Sequence, residues 1–76
     1  MNPTIYVWAK WDAEADVWYT AECSIPGINS SGDTLEELRE RLILLIPDFL
    51  EDQMPANAIL HIFAEREDEF ASIAAE

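Results

Sequence analysis

Seventy-six residues make one domain, because a chain this short buries only about 60% of the surface its unfolded form exposes and cannot divide that between two cores. Half of the residues are hydrophobic and 11% aromatic, which excludes disorder for residues 4 to 66 despite 26% charged residues. Sixteen acidic against four basic side chains give a formal charge of −12, which excludes direct nucleic-acid or membrane binding by this chain and favours a basic protein partner, solubility being the plainer reading of the same charge.

From Ile5 to Trp11, Ile5, Val7, Ala9 and Trp11 alternate with Tyr6, Trp8 and Lys10, a strand rich in β-branched and aromatic residues. Asp12 to Asp16 is a polar connector. Val17, Tyr19, Ala21 and Cys23 then alternate with Trp18, Thr20 and Glu22, so the two segments form a hairpin. Ile25-Pro26-Gly27 breaks the second strand, since proline has no N–H for a ladder and glycine turns through positive φ, and Ile28 to Ser31 is the place for a short third strand. Thr34 and Glu37 have the spacing of a capping box, as do Asp33 and Glu36, so a helix starts here on either register.

Leu35, Leu38, Leu42, Leu45, Ile46, Phe49 and Leu50 recur at helical spacing and form one apolar stripe. Pro47 is expected to kink this helix or restart it, and Pro55 to stop it. Ala58 to Arg66 reads as a last strand, with Ile59, His61 and Phe63 opposite Leu60, Ile62 and Ala64. Glu65 to Glu69 is a charge run, and Phe70 to Glu76 is one helical turn or a tail.

The order β-β-β-α-β defines an α+β fold: a three- to four-stranded, mostly antiparallel sheet with one helix packed on one face. The single domain spans residues 1–76, with its ordered core at about 4–66 and an acidic tail at 67–76. One helix covers one face, yet both faces are apolar. The set Tyr6, Trp8, Trp18, Leu60 and Ile62 cannot share the helix side with Ile5, Val7, Val17, Tyr19, Ile59 and Phe63. Whichever set the helix leaves uncovered is expected to form an interface, with a partner or a second copy, and the first set is the candidate.

Catalytic chemistry finds no constellation. His61, the one histidine, sits at alternating spacing in an apolar strand, where a packed imidazole is the expectation. Cys23 neighbours Glu22 in an anionic chain, which disfavours a thiolate nucleophile; as the one cysteine it forms no intrachain disulfide and fits a reducing compartment. Asp12, Glu14 and Asp16 have the first spacings of a calcium loop, but Val17 stands where that loop needs glycine and Cys23 where it needs glutamate. Ile5 to Trp11 offers no carboxylate to hold the two metals of a ribonuclease-H-like nuclease. Gly27 and Gly32 make no phosphate loop, so neither cofactor nor metal is expected. The N-terminus has no basic segment followed by a long apolar one, and the aliphatic run Leu42 to Ile46 is too short to span a bilayer, so the expected location is the cytoplasm.

Asp48, Glu51 and Asp52 crowd the negative end of the helix, against the preference of its dipole. They form an acidic patch suited to a partner's Arg or Lys, or else mark a helix restarted at Pro47.

Ile25-Pro26-Gly27, followed by Gly32-Asp33-Thr34-Leu35-Glu36-Glu37-Leu38 after an aromatic hairpin, resembles the HicB-like antitoxin domain over roughly residues 4 to 66. The run Ile5-Tyr6-Val7-Trp8-Ala9, Trp11-Asp12, Glu14-Ala15 and Val17-Trp18 looks like a short, stand-alone HicB-like family of unassigned function. The resemblance implies a partial ribonuclease-H-like fold without nuclease activity, and capture of HicA, a small basic toxin that cleaves messenger RNA. In full HicB antitoxins a separate C-terminal domain binds DNA, so repression is not expected from this chain alone. The expected function is a non-enzymatic antitoxin; a homo-oligomeric module, dimeric or higher, is the alternative.

Overall fold

The protein is described by a computed structural model over residues 2–68. The elements are β1 (Thr4–Asp12), β2 (Val17–Cys23), β3 (Ser31–Gly32), α1 (Leu35–Leu50), a 3-10 turn (Glu51–Gln53) and β4 (Ile59–Glu65). The sheet order is β3-β2-β1-β4. The β1–β2 and β2–β3 pairs are antiparallel, whereas β4 lies parallel to β1, so the sheet is mixed. The parallel pair exists because the helix carries the chain across between its two strands. The third strand, expected over Ile28 to Ser31, lies instead at Ser31–Gly32, and the segment Phe70 to Glu76, read as a turn or tail, lies outside the described residues.

Local chemistry accounts for the boundaries. The Asp12 carboxylate accepts hydrogen bonds from the Glu14 and Ala15 amides at 3.0 and 3.3 Å, which folds the connector into a turn closed by Asp16 at φ 56°. Of the two capping registers, the structure uses the later. Thr34 accepts from the Glu37 amide at 3.0 Å, and the Glu37 carboxylate reaches back to the Asp33 amide at 3.0 Å. Replacing Thr34 with Ala is expected to lower the unfolding free energy by about 1 kcal/mol, read from the urea midpoint.

The core lies between the helix and one sheet face: Ile5, Val7 and Ala9 from β1, Ile28, and Leu38, Leu42 and Ile46 from α1. Val7, Leu38 and Leu42 are wholly buried. Leu35, Leu45 and Leu50 flank this core, while Phe49 leaves the expected stripe and lies half-exposed over the Gly27 turn. Gly27 has φ 91°, and a Cβ there would meet the Phe49 ring at 3.2 Å. The helix runs through Pro47 to Leu50 instead of restarting there; the break comes at Glu51, whose φ is 54° and whose N–H donates to the Pro47 carbonyl. Burial of Leu42 and Ile46 on either side of the one hydrogen bond that Pro47 withholds keeps that turn in place. Among the described residues no helix is long and apolar enough to cross a membrane.

Candidate protein-binding face

The second sheet face is uncovered among the described residues, and the strand pairing decides which side chains reach it. In the parallel pair Tyr6 stands beside His61, Trp8 beside Phe63 and Lys10 beside Glu65. Ile5 and Val7 stand beside Leu60 and Ile62, on the helix side. On β2, Trp18 pairs with Trp11 and packs against the core, while Tyr19 pairs with Lys10 and is exposed.

The expected interface set therefore divides. Tyr6 and Trp8 are on the open face; Trp18, Leu60 and Ile62 are on the covered one, half-buried against the core. The reason is the register. Alternation within a strand sorts its own side chains but carries no information about the phase of its neighbour, and Thr4 opposite Ile59 places the odd residues of β4 beside the even residues of β1. A bulge opposite Trp8 and Ala9 adds a second phase change, so that Thr20 and Cys23 both point toward the helix.

Four rings form one cluster on the open face. Trp8 and Phe63 are stacked with centroids 5.2 Å apart at 13°, Tyr6 stacks on Phe63 at 6.1 Å, and His61 lies 4.4 Å from Phe63 and 5.7 Å from Tyr6. Trp8, Tyr6, Phe63 and Ile59 retain 36%, 39%, 40% and 46% of their surface. These rings adjoin one another on one face instead of being scattered singly over the surface. Tyr19, Ile59, His61 and Phe63 were missing from the expected set. Within the β1–β4 pair side-chain type separates the faces, since Ile5, Val7, Leu60 and Ile62 face the core and the rings of Tyr6, Trp8, His61 and Phe63 face water; Trp18 on β2 does not follow this rule.

Charge around this cluster is acidic. Glu22 pairs with Trp8 across β2 and Glu65 follows Phe63 along β4, with Lys10 between them. The three arginines are already engaged: Arg39 with Glu36, Arg41 with Glu37 and the Ser31 carbonyl, and Arg66 with Asp68 while its guanidinium sits 4.2 Å above the Trp11 ring. The hydrogen bond from Arg39 holds the Glu36 carboxyl below its usual range and raises the guanidinium, but both groups are in water and the pair contributes little stability. Asp48, Glu51 and Asp52 are exposed at the end of α1 and in the 3-10 turn. They belong to the helix layer, so the structure places this patch behind the sheet from the rings and does not join the two.

Small-molecule and metal sites are poorly provided. The apolar cleft between α1 and β4, lined by Ile43, Pro47, Met54 and Ile59 among others, holds about 180 Å³, below the roughly 300–1,000 Å³ of ordinary ligand pockets, and the larger concavity of about 400 Å³ beside Trp11, Asp12, Glu14 and Tyr19 is a shallow surface depression at the β1–β2 turn. Among the described residues no three His, Cys, Asp or Glu side chains converge to hold a metal ion. The Cys23 thiol, partly buried, accepts from the Ile25 amide at 3.5 Å.

The protein is thus an α+β domain with a mixed four-stranded sheet, one face packed under a helix and the other lined with exposed rings. Residues 4–71 match the family described as Domain of unknown function (DUF1902), and the chain belongs to that family. A solved structure, a hypothetical protein from the extremely thermophilic bacterium Thermus thermophilus, is similar at 34% identity with a TM-score of 0.73, covering 88% of this chain and 99% of that one. No curated protein matches.

Proposed function

We propose that this chain is a non-catalytic protein-binding domain that works through its uncovered sheet face and takes a small basic protein as partner. The carrying observation is the exposed stack of Trp8, Tyr6 and Phe63 with Glu22 and Glu65 beside it. Flat rings supply contact area and stack on guanidinium groups, and the surrounding carboxylates attract cationic side chains. The charge of −12 supports the same partner chemistry. The sequence resemblance to HicB-like antitoxin domains supports the finer reading, in which the partner is a HicA-like RNA-cleaving toxin and this chain its neutraliser.

The test is affinity capture from the native host at low and moderate salt, with wild type and with Trp8→Ala as baits. A small basic RNA-cleaving protein, retained by wild type, reduced with the variant and released as salt rises, is the expected result. Equal retention by both baits would remove the sheet face from the proposal, and capture of no basic protein would remove the partner class.

Charge reversal locates the site more finely. Glu22→Lys with Glu65→Lys is expected to slow association with the captured protein about ten-fold at low salt, because these carboxylates border the rings. Reversal of Asp48, Glu51 and Asp52 together, behind the sheet, is expected to slow it less. The opposite ranking, by stopped-flow association, would assign recognition to the helix end.

A further inference from the structure

We infer that the outer edge of β4 is a self-pairing site, through which two copies of this chain join into one continuous sheet. β4 is a terminal strand of the sheet, seven residues long, and among the described residues no strand pairs with its outer side. The opposite edge, β3, has two residues and offers almost no template. Proteins that keep a long edge strand unpaired protect it with proline, lysine, a bulge or an inward charge. Ile59–Glu65 has none of these: its register against β1 is unbroken, and its one charged residue is the last.

Backbone direction selects the register. The Ile59 amide donates to the Pro3 carbonyl, so in this parallel pair the odd residues of β4 direct N–H and C=O toward β1, and Leu60, Ile62 and Ala64 direct theirs outward. An antiparallel two-fold contact centred on Ile62 places Ile62 opposite the partner's Ile62 and Leu60 opposite the partner's Ala64. Each of these is then a hydrogen-bonded pair that exchanges two bonds, and every outward donor and acceptor of Leu60, Ile62 and Ala64 is satisfied.

The side chains agree with that register. His61 falls opposite the partner's Phe63 in the closer, non-hydrogen-bonded pair, and aromatic cross-strand pairs are favourable. Glu65 falls opposite the partner's Ile59, so no carboxylate faces another across the joint. Beside the freedom that any association loses, the long-range repulsion of two chains of −12 opposes it, and salt screens that repulsion. The two ring clusters would meet at the joint and form one surface twice as large.

The experiment is sedimentation of the full chain across a wide concentration range at low and moderate salt, wild type beside Ala64→Pro. Proline at 64 deletes an outward N–H and leaves the ladder to β1 intact, which edge strands tolerate. The expected result is a two-chain particle that tightens as salt rises and weakens at least about ten-fold in the variant, which loses two hydrogen bonds per dimer. Amide exchange of wild type supplies the second measurement, with Leu60, Ile62 and Ala64 slowing as concentration rises. A monomer at every concentration in moderate salt, or a dimer in which those three amides exchange as they do in dilute protein, overturns the inference whether or not the proline variant folds. Binding of a basic partner weakens with salt whereas self-pairing strengthens, so failure of one is distinguishable from failure of the other.

Discussion

Gly32→Ala is expected to lower the unfolding free energy by about 2–4 kcal/mol, equivalent to roughly 10–25 °C in the melting temperature of a domain this small. Gly32 is buried in β3 opposite Trp18, and a Cβ there would lie 2.7 Å from the Leu38 amide nitrogen and 3.1 Å from the Glu37 carbonyl carbon. These are backbone atoms in the first turns of α1, so no rotamer change relieves the collision; β3 or the whole helix start must move. Movement of the helix start pulls Leu38 out of its place in the core, where it is wholly buried. A domain of 76 residues has about 4–11 kcal/mol in total, so the variant loses a large share of its stability. Urea unfolding followed by far-ultraviolet circular dichroism checks it, and an unchanged midpoint would mean that α1 does not rest on β3.

The second large effect concerns binding. Trp8→Ala, alone or with Phe63→Ala, is expected to weaken capture of the proposed basic partner by about 2–4 kcal/mol, a loss on the order of 30- to 1,000-fold. The two rings stack 5.2 Å apart and leave 36% and 40% of their surface in water, so much of their contact area is still available to a partner. The same exposure limits the folding cost to about 1–2 kcal/mol per ring, less than the truncation of a buried Leu38 or Leu42. Titration calorimetry beside urea unfolding separates the two. If affinity falls only as far as the folded fraction does, the rings serve the sheet and not recognition.

The stretches most legible in the sequence were those with a strong local signal. The bounds of Val17–Cys23 and a helix start at Asp33 or Thr34 follow from composition and capping chemistry, which act within a few residues, whereas the alternation inside β2 is broken by the bulge. The helix does not restart at Pro47, because the missing N–H is outweighed by the burial of Leu42 and Ile46 around it. The division of the sheet into two faces is legible only in part: of the expected interface set Tyr6 and Trp8 lie on the open face, while Trp18, Leu60 and Ile62 lie on the covered one, and Phe63 lies beside Trp8 on the open face.

The order of the described elements, a helix over Leu35–Leu50, the acidic charge and more apolar sheet surface than that helix covers are all legible in the sequence. These are sums and short-range patterns, and each is complete within one segment of chain. Only the tertiary structure decided that β4 pairs parallel to β1, that a bulge shifts the phase of β2, and hence that Tyr6, Trp8, His61 and Phe63 share the open face. Those facts belong to pairs of strands. The period of a strand is two, so a shift of one residue between neighbours exchanges the buried face for the wet one while each strand's own sequence stays the same.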